Sequence, residues 1–260
     1  MSLALIQKLN EMLLAEMPEY RVQATQVAAD AAAQRNLLRA LMNVRPPLPL
    51  TEEFVRLQDE LLAAEREKRG VVNLMALPSV SLDARIILWQ GDITRLNADA
   101  IVNAANSALL GCFIPCHRCI DNAIHSAAGL QLRVECAALM ERQGHPEKTG
   151  TAKITQGYNL PARHVLHTVG PIVSGALTEE HRELLASCYR SCLVLAAKNG
   201  LKSVAFCCIS TGEFHFPNAA AAEIAVREVH AFLGTSTSIE HVVFNVFKDE
   251  DRMIYERLLS

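Results

Sequence analysis

The sequence predicts an α/β protein in which a central sheet lies between two helical layers and follows a helical N-terminal segment. Three observations predict this class. Residues 1–70 carry helix-like patterns and little else. From about residue 76, short apolar runs rich in β-branched residues alternate with helix-like segments, as in three-layer α/β/α domains. Several runs are continuously apolar, as expected for strands covered on both faces. We therefore predict a helical extension over residues 1–75, packed on a main domain over residues 76–260.

The extension contains one well-delimited helix, "TEEFVRLQDELLAAEREKRG", over residues 51–70. Thr51 is a suitable N-cap, and the acidic residues after it suit the positive end of the helix dipole. Phe54, Leu57 and Leu61 recur at helical spacing and give one apolar face, which must be buried against another element. Gly70 is a natural helix terminator.

Five runs in the main domain are predicted strands: "ARIILWQ", "ADAIVNAA", "ARHVLHTV", "KSVAFCCIS" and "IEHVVFNVF". Two long helices are predicted between them. One spans residues 178–200, with Thr178 as cap and Gly200 as terminator. The other spans residues 218–234, with Asn218 as cap and Gly234 as terminator.

Composition and charge exclude several function classes. Half of the 260 residues are hydrophobic, and the net charge is −3 with no long run of one sign. This balance argues against nucleic acid or an anionic membrane surface as the main partner. The N-terminus predicts an amphipathic helix rather than a signal peptide, and no apolar run is long enough to span a bilayer. We expect a soluble, cytoplasmic protein.

Seven of the eight cysteines divide into two groups, and Cys136 stands apart from both. Four of the eight, at positions 188, 192, 207 and 208, lie in apolar helix or strand patterns and are expected to be small buried hydrophobes. Three others crowd with a histidine into the stretch "GCFIPCHRC" at residues 111–119. Disulfides are not expected in a reducing cytosol.

This cysteine–histidine stretch favours a metal site. Cys112, His117 and Cys119 supply two thiolates and an imidazole, a donor set that suits zinc. Three protein ligands leave the fourth tetrahedral position open, as in catalytic sites. In a locally extended segment positions 117 and 119 point the same way, so Cys116 is the expected spare. A four-ligand structural site that includes Cys116 stays open, and a redox C-x-x-C is the less favoured alternative.

Ligands of open α/β sheets collect at the carboxyl ends of strands. Four motifs at or near such ends, "GDITRLNADAIVNAANS", "IDNAIHSAAG", "GYNLPARHVLHTVGP" and "STGEFHFP", occur in one order over residues 91–217. Together they resemble the macrodomain family of ADP-ribose binders and ADP-ribosyl hydrolases. The resemblance covers most of residues 76–260 and implies a three-layer macrodomain with a mixed central sheet.

The resemblance also implies roles for individual residues. Asn106 would hydrogen-bond the distal ribose, and Asp121 would orient substrate or act as general base. Asp92, with Ile93 beside it, would accept the adenine amino group. A second loop would cradle the diphosphate and the distal ribose; its residues are Ser210, Thr211, Gly212, Glu213 and Phe214. His215 stands where the family often has glycine.

Each of these residues also has a structural interpretation. Asn106 could close an Asx turn, Asp92 could be an ordinary turn residue, and Asp121 could simply stabilise a helix N-terminus. Phe247 could stack on adenine or pack in the core. His125 could reach back to Asp121 or be a packed structural histidine, and the histidines at 164 and 167 are interpreted as structural.

The stretch "GCFIPCHRC" replaces the glycine run of typical macrodomains and resembles the zinc-dependent branch of the family. That resemblance implies hydrolysis of mono-ADP-ribose from modified proteins, with one zinc ion per chain. It also implies a sirtuin-like ADP-ribosyltransferase as functional partner and a lipoyl-carrier protein, like the H protein of the glycine cleavage system, as a modified partner. The alternatives are a non-catalytic ADP-ribose reader and a hydrolase of other ADP-ribose derivatives.

Overall fold

The computed structural model describes residues 2–235 and 237–260, and it begins with four helices. Their bounds are α1 Leu3–Glu16, α2 Arg21–Thr25, α3 Ala31–Val44 and α4 Glu52–Arg69. Thr51 caps α4 as predicted, accepting the backbone N–H of Phe54 at 3.2 Å, and Asp30 caps α3 in the same manner. Gly70 ends α4 with a positive φ of 75°, a conformation that favours glycine.

The helical extension has its own apolar cluster, which also touches the main domain. Leu9 and Leu13 of α1 pack there with Leu38 of α3 and Leu61 of α4, and Leu130 of the following domain joins them. The buried guanidinium of Arg133 donates to the carbonyl oxygens of Met42 and Arg45, at 2.9 and 2.6 Å. Since one guanidinium bonds several carbonyls in a fixed geometry, this contact holds the end of α3 against the main domain.

The main domain is built on a six-stranded mixed sheet in the order β2-β8-β7-β4-β6-β5. The strands are β2 Ile86–Gln90, β4 Ala100–Ala104, β5 Ala152–Gln156, β6 His164–Thr168, β7 Ser203–Phe206 and β8 His241–Val246. All neighbours pair in parallel except β5, which is antiparallel to β6. Two short strands, β1 Val72–Asn73 and β3 Leu96–Asn97, form a separate parallel pair.

Five helices cover the sheet and complete the three layers. They are α5 Ile120–Ala128, α6 Leu130–Gln143, α7 Glu179–Lys198, α8 Asn218–Leu233 and α9 Asp249–Leu258. The connections β6–α7–β7 and β7–α8–β8 join parallel strands and run the same way along the sheet, so right-handed crossovers place α7 and α8 on one face. Helix α9 packs on α8, whereas α5 packs on β4 and on α6. The predicted three-layer α/β/α fold with a mixed sheet and a helical extension is confirmed.

Some predicted details are confirmed and others are wrong. Thr178 caps α7 in a capping box with His181. Asn218 is the first helical residue of α8 rather than its cap, because its side chain instead donates to Asp251 of α9 at 2.6 Å. The sequence interpretation did not include β5, α6 or α9. Among residues 2–235 and 237–260, no helix combines the length and apolarity that crossing a bilayer requires.

Candidate functional site

The carboxyl ends of the parallel strands meet at one edge of the sheet and bring three of the predicted loops together with Phe247. Asp92 follows β2, Asn106 follows β4, the Ser210–Phe214 segment follows β7 and Phe247 follows β8. Three strand spacings separate β2 from β4 in the sheet order, or about 14 Å at a spacing of about 4.8 Å. The site is therefore elongated, with Asp92 towards one end and Asn106 towards the other.

The 112–119 loop, called the ligand loop below, gathers the predicted metal donors. One ligand atom from each of Cys112, His117 and Cys119 lies within 4.8 Å of the other two. All three side chains are partly buried. The Cys112 Sγ and the His117 Nδ1 are 3.6 Å apart. A tetrahedral zinc with Zn–S of about 2.3 Å and Zn–N of about 2.0–2.1 Å holds these two atoms about 3.5 Å apart. The donor set and its spacing thus fit zinc.

Cys116 lies outside this cluster, although the reason differs from the predicted one. The loop is not extended at this point, because Cys116 has a left-handed φ of 54° and the His117 N–H closes a turn onto the Ile114 carbonyl oxygen at 3.2 Å. The exposed Cys116 thiol faces the Asn36 carbonyl oxygen of α3 at 3.6 Å. The turn, rather than strand alternation, directs this thiol away from the other donors.

Cys119 also begins α5. Its sulfur accepts the Asn122 N–H at 3.4 Å in the N-cap position. Burial raises the pKa of the Cys119 thiol to about 12, and the neighbouring Cys112 acts in the same direction. The helix N-terminus favours a thiolate here, but loss of hydration outweighs that effect.

Asp121, in the first turn of α5, is buried beneath the loop that follows β4. One of its carboxylate oxygens accepts from the Asn103 amide at 2.8 Å, and the other lies 3.5 Å from the Asn106 Nδ2. Asn106 also donates to the Gly111 carbonyl oxygen at 3.2 Å and accepts the Ala108 N–H at 3.0 Å. Burial raises the pKa of Asp121 to about 6, against the opposing effect of the Asn103 hydrogen bond.

The Asx turn offered as the structural interpretation of Asn106 is therefore present. The Asn106 side chain also lies beside the Asp121 carboxylate. Asn103 was not a predicted site residue. A polar residue inside the apolar run "AIVNAA" was the signal that could have identified it, because a buried amide needs hydrogen-bond partners.

Behind Asp121 lies a cluster of buried histidines. His167 on β6 has one ring nitrogen 3.2 Å from the Asn103 amide nitrogen and the other 2.9 Å from the Thr155 hydroxyl. The Nε2 of His125 in α5 lies 3.5 Å from a carboxylate oxygen of Asp121, but this contact does not have hydrogen-bond geometry. Within residues 2–235 and 237–260, neither ring nitrogen of His125 has a hydrogen-bond partner. Burial lowers the pKa of both imidazoles, to about 4 for His167. Both rings are neutral at pH 7, and we interpret them as structural.

Acid is expected to destabilise the fold through His167. Its pKa is lowered from 6.5 to about 4, so between these pH values the unfolded chain binds a proton that the folded chain does not. The stability present above pH 6.5 is therefore lost as the pH falls to about 4, by roughly 2–3 kcal/mol. The lowered pKa of His125 adds to this loss of stability at low pH. The raised pKa of Asp121 has the opposite effect, because its folded form binds a proton more readily than the unfolded chain does.

Urea unfolding of chelator-treated protein at pH 7 and pH 4.5 measures this effect. Between the two pH values, the free energy of unfolding of His167→Gln is expected to fall by about 2 kcal/mol less than that of the wild type. His164→Gln, a change at a half-buried position on the same strand, is the matched control for the loss of a histidine from β6. An equal loss in all three proteins would contradict the assignment.

The Ser210–Phe214 loop combines unusual backbone with a close approach to the β6 end. Ser210 has a φ of 65°, and a Cβ added at Gly170 would come within 1.9 Å of the Ser210 hydroxyl oxygen. A side chain at position 170 would require the Ser210 side chain to move. His215 keeps a φ of 55°, so the loop retains a glycine-like turn although histidine occupies it. The loop also meets the ligand loop, since the Glu213 carboxylate lies 3.7 Å from the His117 Nε2.

At the other end of the site, Asp92 accepts from the Thr94 N–H and hydroxyl at 3.0 and 2.7 Å. Arg69 of α4 lies 3.5 Å from its second oxygen. The side chain of Ile93 is buried in the core, so only the main chain of this predicted residue can meet a ligand. Phe247 is 75% exposed, so the core-packing alternative for this ring is wrong and it is free to meet a flat ligand.

Comparisons with known proteins agree on one family. The family model described as "Macro domain" matches residues 102–225. A Treponema medium protein named "Protein-ADP-ribose hydrolase" is 52% identical, covering 97% of each chain. A Fusarium oxysporum protein named "Probable bifunctional ADP-ribose hydrolase/ADP-ribosyltransferase" is 44% identical over 89% of this chain and 42% of its own length. The Trypanosoma brucei macrodomain solved with ADP-ribose superposes with a TM-score of 0.67 at 32% identity, covering 85% of this chain and 95% of that one.

Proposed function

Because the chain belongs to the macrodomain family, we propose that it is a zinc-dependent hydrolase that removes mono-ADP-ribose from modified protein side chains. The observation that carries the proposal is the cluster of Cys112, His117 and Cys119, whose donors lie within 4.8 Å of one another and directly precede Asp121 in the chain. Two sulfurs and one imidazole leave one tetrahedral position for substrate, as in catalytic zinc sites.

The long axis of the site suits ADP-ribose. Asp92 and the exposed Phe247 ring offer an acceptor and a flat apolar face to adenine at one end. The backbone N–H groups of Thr211, Gly212 and Glu213 supply donors for a diphosphate in the middle. The name of the Treponema relative, a protein-ADP-ribose hydrolase, supports this substrate class.

At the distal end, the chain's own residues bind and orient the ribose beside the scissile bond. Asn106 is held by Gly111 and Ala108, so its amide is fixed before substrate arrives. Asp121 is held by Asn103, and its second oxygen, beside Asn106, is placed to accept a proton from a ribose hydroxyl or a water. When bound, zinc would act as a Lewis acid towards an oxygen of the substrate.

Glu213 supports this assignment from the opposite loop. The Nδ1 of His117 is the nitrogen near Cys112, which leaves the Nε2 directed at the Glu213 carboxylate. A carboxylate behind a ligating histidine fixes the ring orientation and raises its basicity. Glu213 would thus orient His117 while its backbone takes part in the diphosphate loop.

The partners are proposed on the same basis. The printed name of the Fusarium relative joins a hydrolase and an ADP-ribosyltransferase in one protein, which supports a transferase as functional partner. We propose that this transferase is sirtuin-like and that a lipoyl-carrier protein is the modified substrate. Turnover of such a carrier modified in vitro, at a rate no greater than that of an unrelated modified protein, would contradict the last point.

Removal of the metal is expected to abolish hydrolysis while leaving the fold intact. A Lewis acid contributes several kcal/mol to the transition state, so activity should fall at least about a hundredfold. The measurement is release of ADP-ribose from a mono-ADP-ribosylated protein by zinc-loaded, chelated and zinc-restored samples, with metal content verified. Full activity in the metal-free sample would overturn the zinc mechanism. Tight ADP-ribose binding without turnover of any linkage would favour a reader.

A further inference from the structure

Helix α3 of the N-terminal extension lies directly against the ligand loop. The Asn43 side chain, buried to 2% exposure, accepts the Cys116 N–H at 2.9 Å and donates to the Ser126 hydroxyl of α5 at 3.1 Å. One amide thus bonds both the loop and the helix that follows it. A buried amide with both ends used in this way is a specific contact rather than general packing.

Arg39, one helical turn before Asn43, makes a second connection. Its guanidinium donates to the His117 carbonyl oxygen at 3.3 Å and to the Asn122 side chain at 2.8 Å. Asn122 in turn donates to the Ile114 carbonyl oxygen at 3.1 Å. The backbone on both sides of His117 is therefore fixed from α3 and α5 together.

These contacts fall where the loop is conformationally costly. Cys116 has a left-handed φ of 54°, which is uncommon for a residue with a side chain and persists only when its surroundings hold it. The side-chain Oδ1 of Asn43 accepts the N–H of that same residue. The turn at Cys116 directs the Cys116 thiol away from the other donors. It also sets the path of the backbone that carries His117 and Cys119. Loss of the Asn43 contact would free the loop to leave this turn.

We infer that Asn43 and Arg39 are positioning residues of the metal site, so that the N-terminal extension sets the geometry of the Cys112–His117–Cys119 cluster from outside the main domain. The inference rests on the proposed zinc function. Groups that orient ligands without touching the metal typically change metal affinity by about 10–100-fold. The two residues bond the ligand loop and α5, and no hydrogen bond among the described residues joins them to the loops after β2 and β7.

The test is zinc affinity measured by competition with a chromogenic chelator, in the full-length chain. Asn43→Ala and Arg39→Met are each expected to bind zinc at least about tenfold more weakly than the wild type. Gln58→Ala is the matched control. Gln58 lies on α4, is equally buried, and accepts the backbone N–H of Leu130 at 2.8 Å, but no hydrogen bond in the described part of the chain joins it to the ligand loop. It should stay within about twofold of the wild type.

A second measurement separates the positioning role from a loss of folding. Calorimetric ADP-ribose affinity of the zinc-free proteins should be the same in the wild type and the α3 variants. Wild-type zinc affinity in both α3 variants would overturn the inference, and so would an equal loss in Gln58→Ala, because the effect would then be general to the extension. If Asn43→Ala does not fold, the zinc affinity of Arg39→Met alone tests the inference. A wild-type chain that takes up no zinc would instead overturn the proposed function itself.

Discussion

Alanine in place of Cys112, His117 or Cys119 is expected to abolish zinc uptake, whereas alanine in place of Cys116 leaves it unchanged. The three predicted ligands present donors within 4.8 Å of one another, while the Cys116 thiol faces α3. Removing a donor leaves two protein ligands, so the loss in affinity should exceed the roughly 10–100-fold cost of losing a group behind the ligands. Hydrolysis should fall in parallel.

Cys116→Ala is a stringent control, because it removes a thiol from the same loop and from the same C-x-x-C pair. Metal content of the purified variants, measured by elemental analysis, gives the readout. One zinc per chain in the wild type and in Cys116→Ala, with none in the other three, is the expected pattern. Zinc retained in all three ligand variants would refute the ligand set, and zinc lost from Cys116→Ala would restore the four-ligand structural site.

Asp121→Asn is expected to lower the rate of hydrolysis by about 10²–10⁴-fold with little effect on ADP-ribose affinity. The change keeps the shape of the side chain and the acceptor for Asn103, but it removes the proton-accepting carboxylate beside Asn106. A loss in kcat with an unchanged binding constant indicates a group that acts in the transition state rather than in ground-state binding.

Asp251→Asn supplies the matched control for this change. Asp251 is also a buried aspartate in the first turn of a helix, and it also accepts from an asparagine amide, that of Asn218 at 2.6 Å. Single-turnover hydrolysis and calorimetry compare the two variants. A kcat for Asp121→Asn within about threefold of the wild type would show that Asp121 has no role in the reaction. An equal loss of kcat in Asp251→Asn would show that the effect comes from lower stability.

The sequence predicted five of the six strands of the main sheet and missed β5. The runs that became β4, β7 and β8 are almost continuously apolar and almost wholly buried, as expected for strands with helices on both faces, and the apolar run of β2 was predicted although β2 lies at one edge of the sheet. Strand β5 lies at the edge of the sheet, is only partly buried, and carries Lys153 and Gln156, so its pattern is weak. Helix caps at Thr51 and Thr178 were predictable because a cap bonds residues three positions away.

The sequence by itself determined the family, the order of the loops and the inventory of donors, since each depends on residue type and local spacing. Only the tertiary structure decided which donors meet. Asn103 reaches Asp121 across the packing of α5 on β4, and Asn43 reaches Cys116 across 73 positions of chain. The left-handed turn at Cys116 depends on that distant contact, because spacing within a loop does not fix the direction of its side chains. The direction of the Cys116 thiol was thus settled by α3, an element outside the domain that the motifs identified.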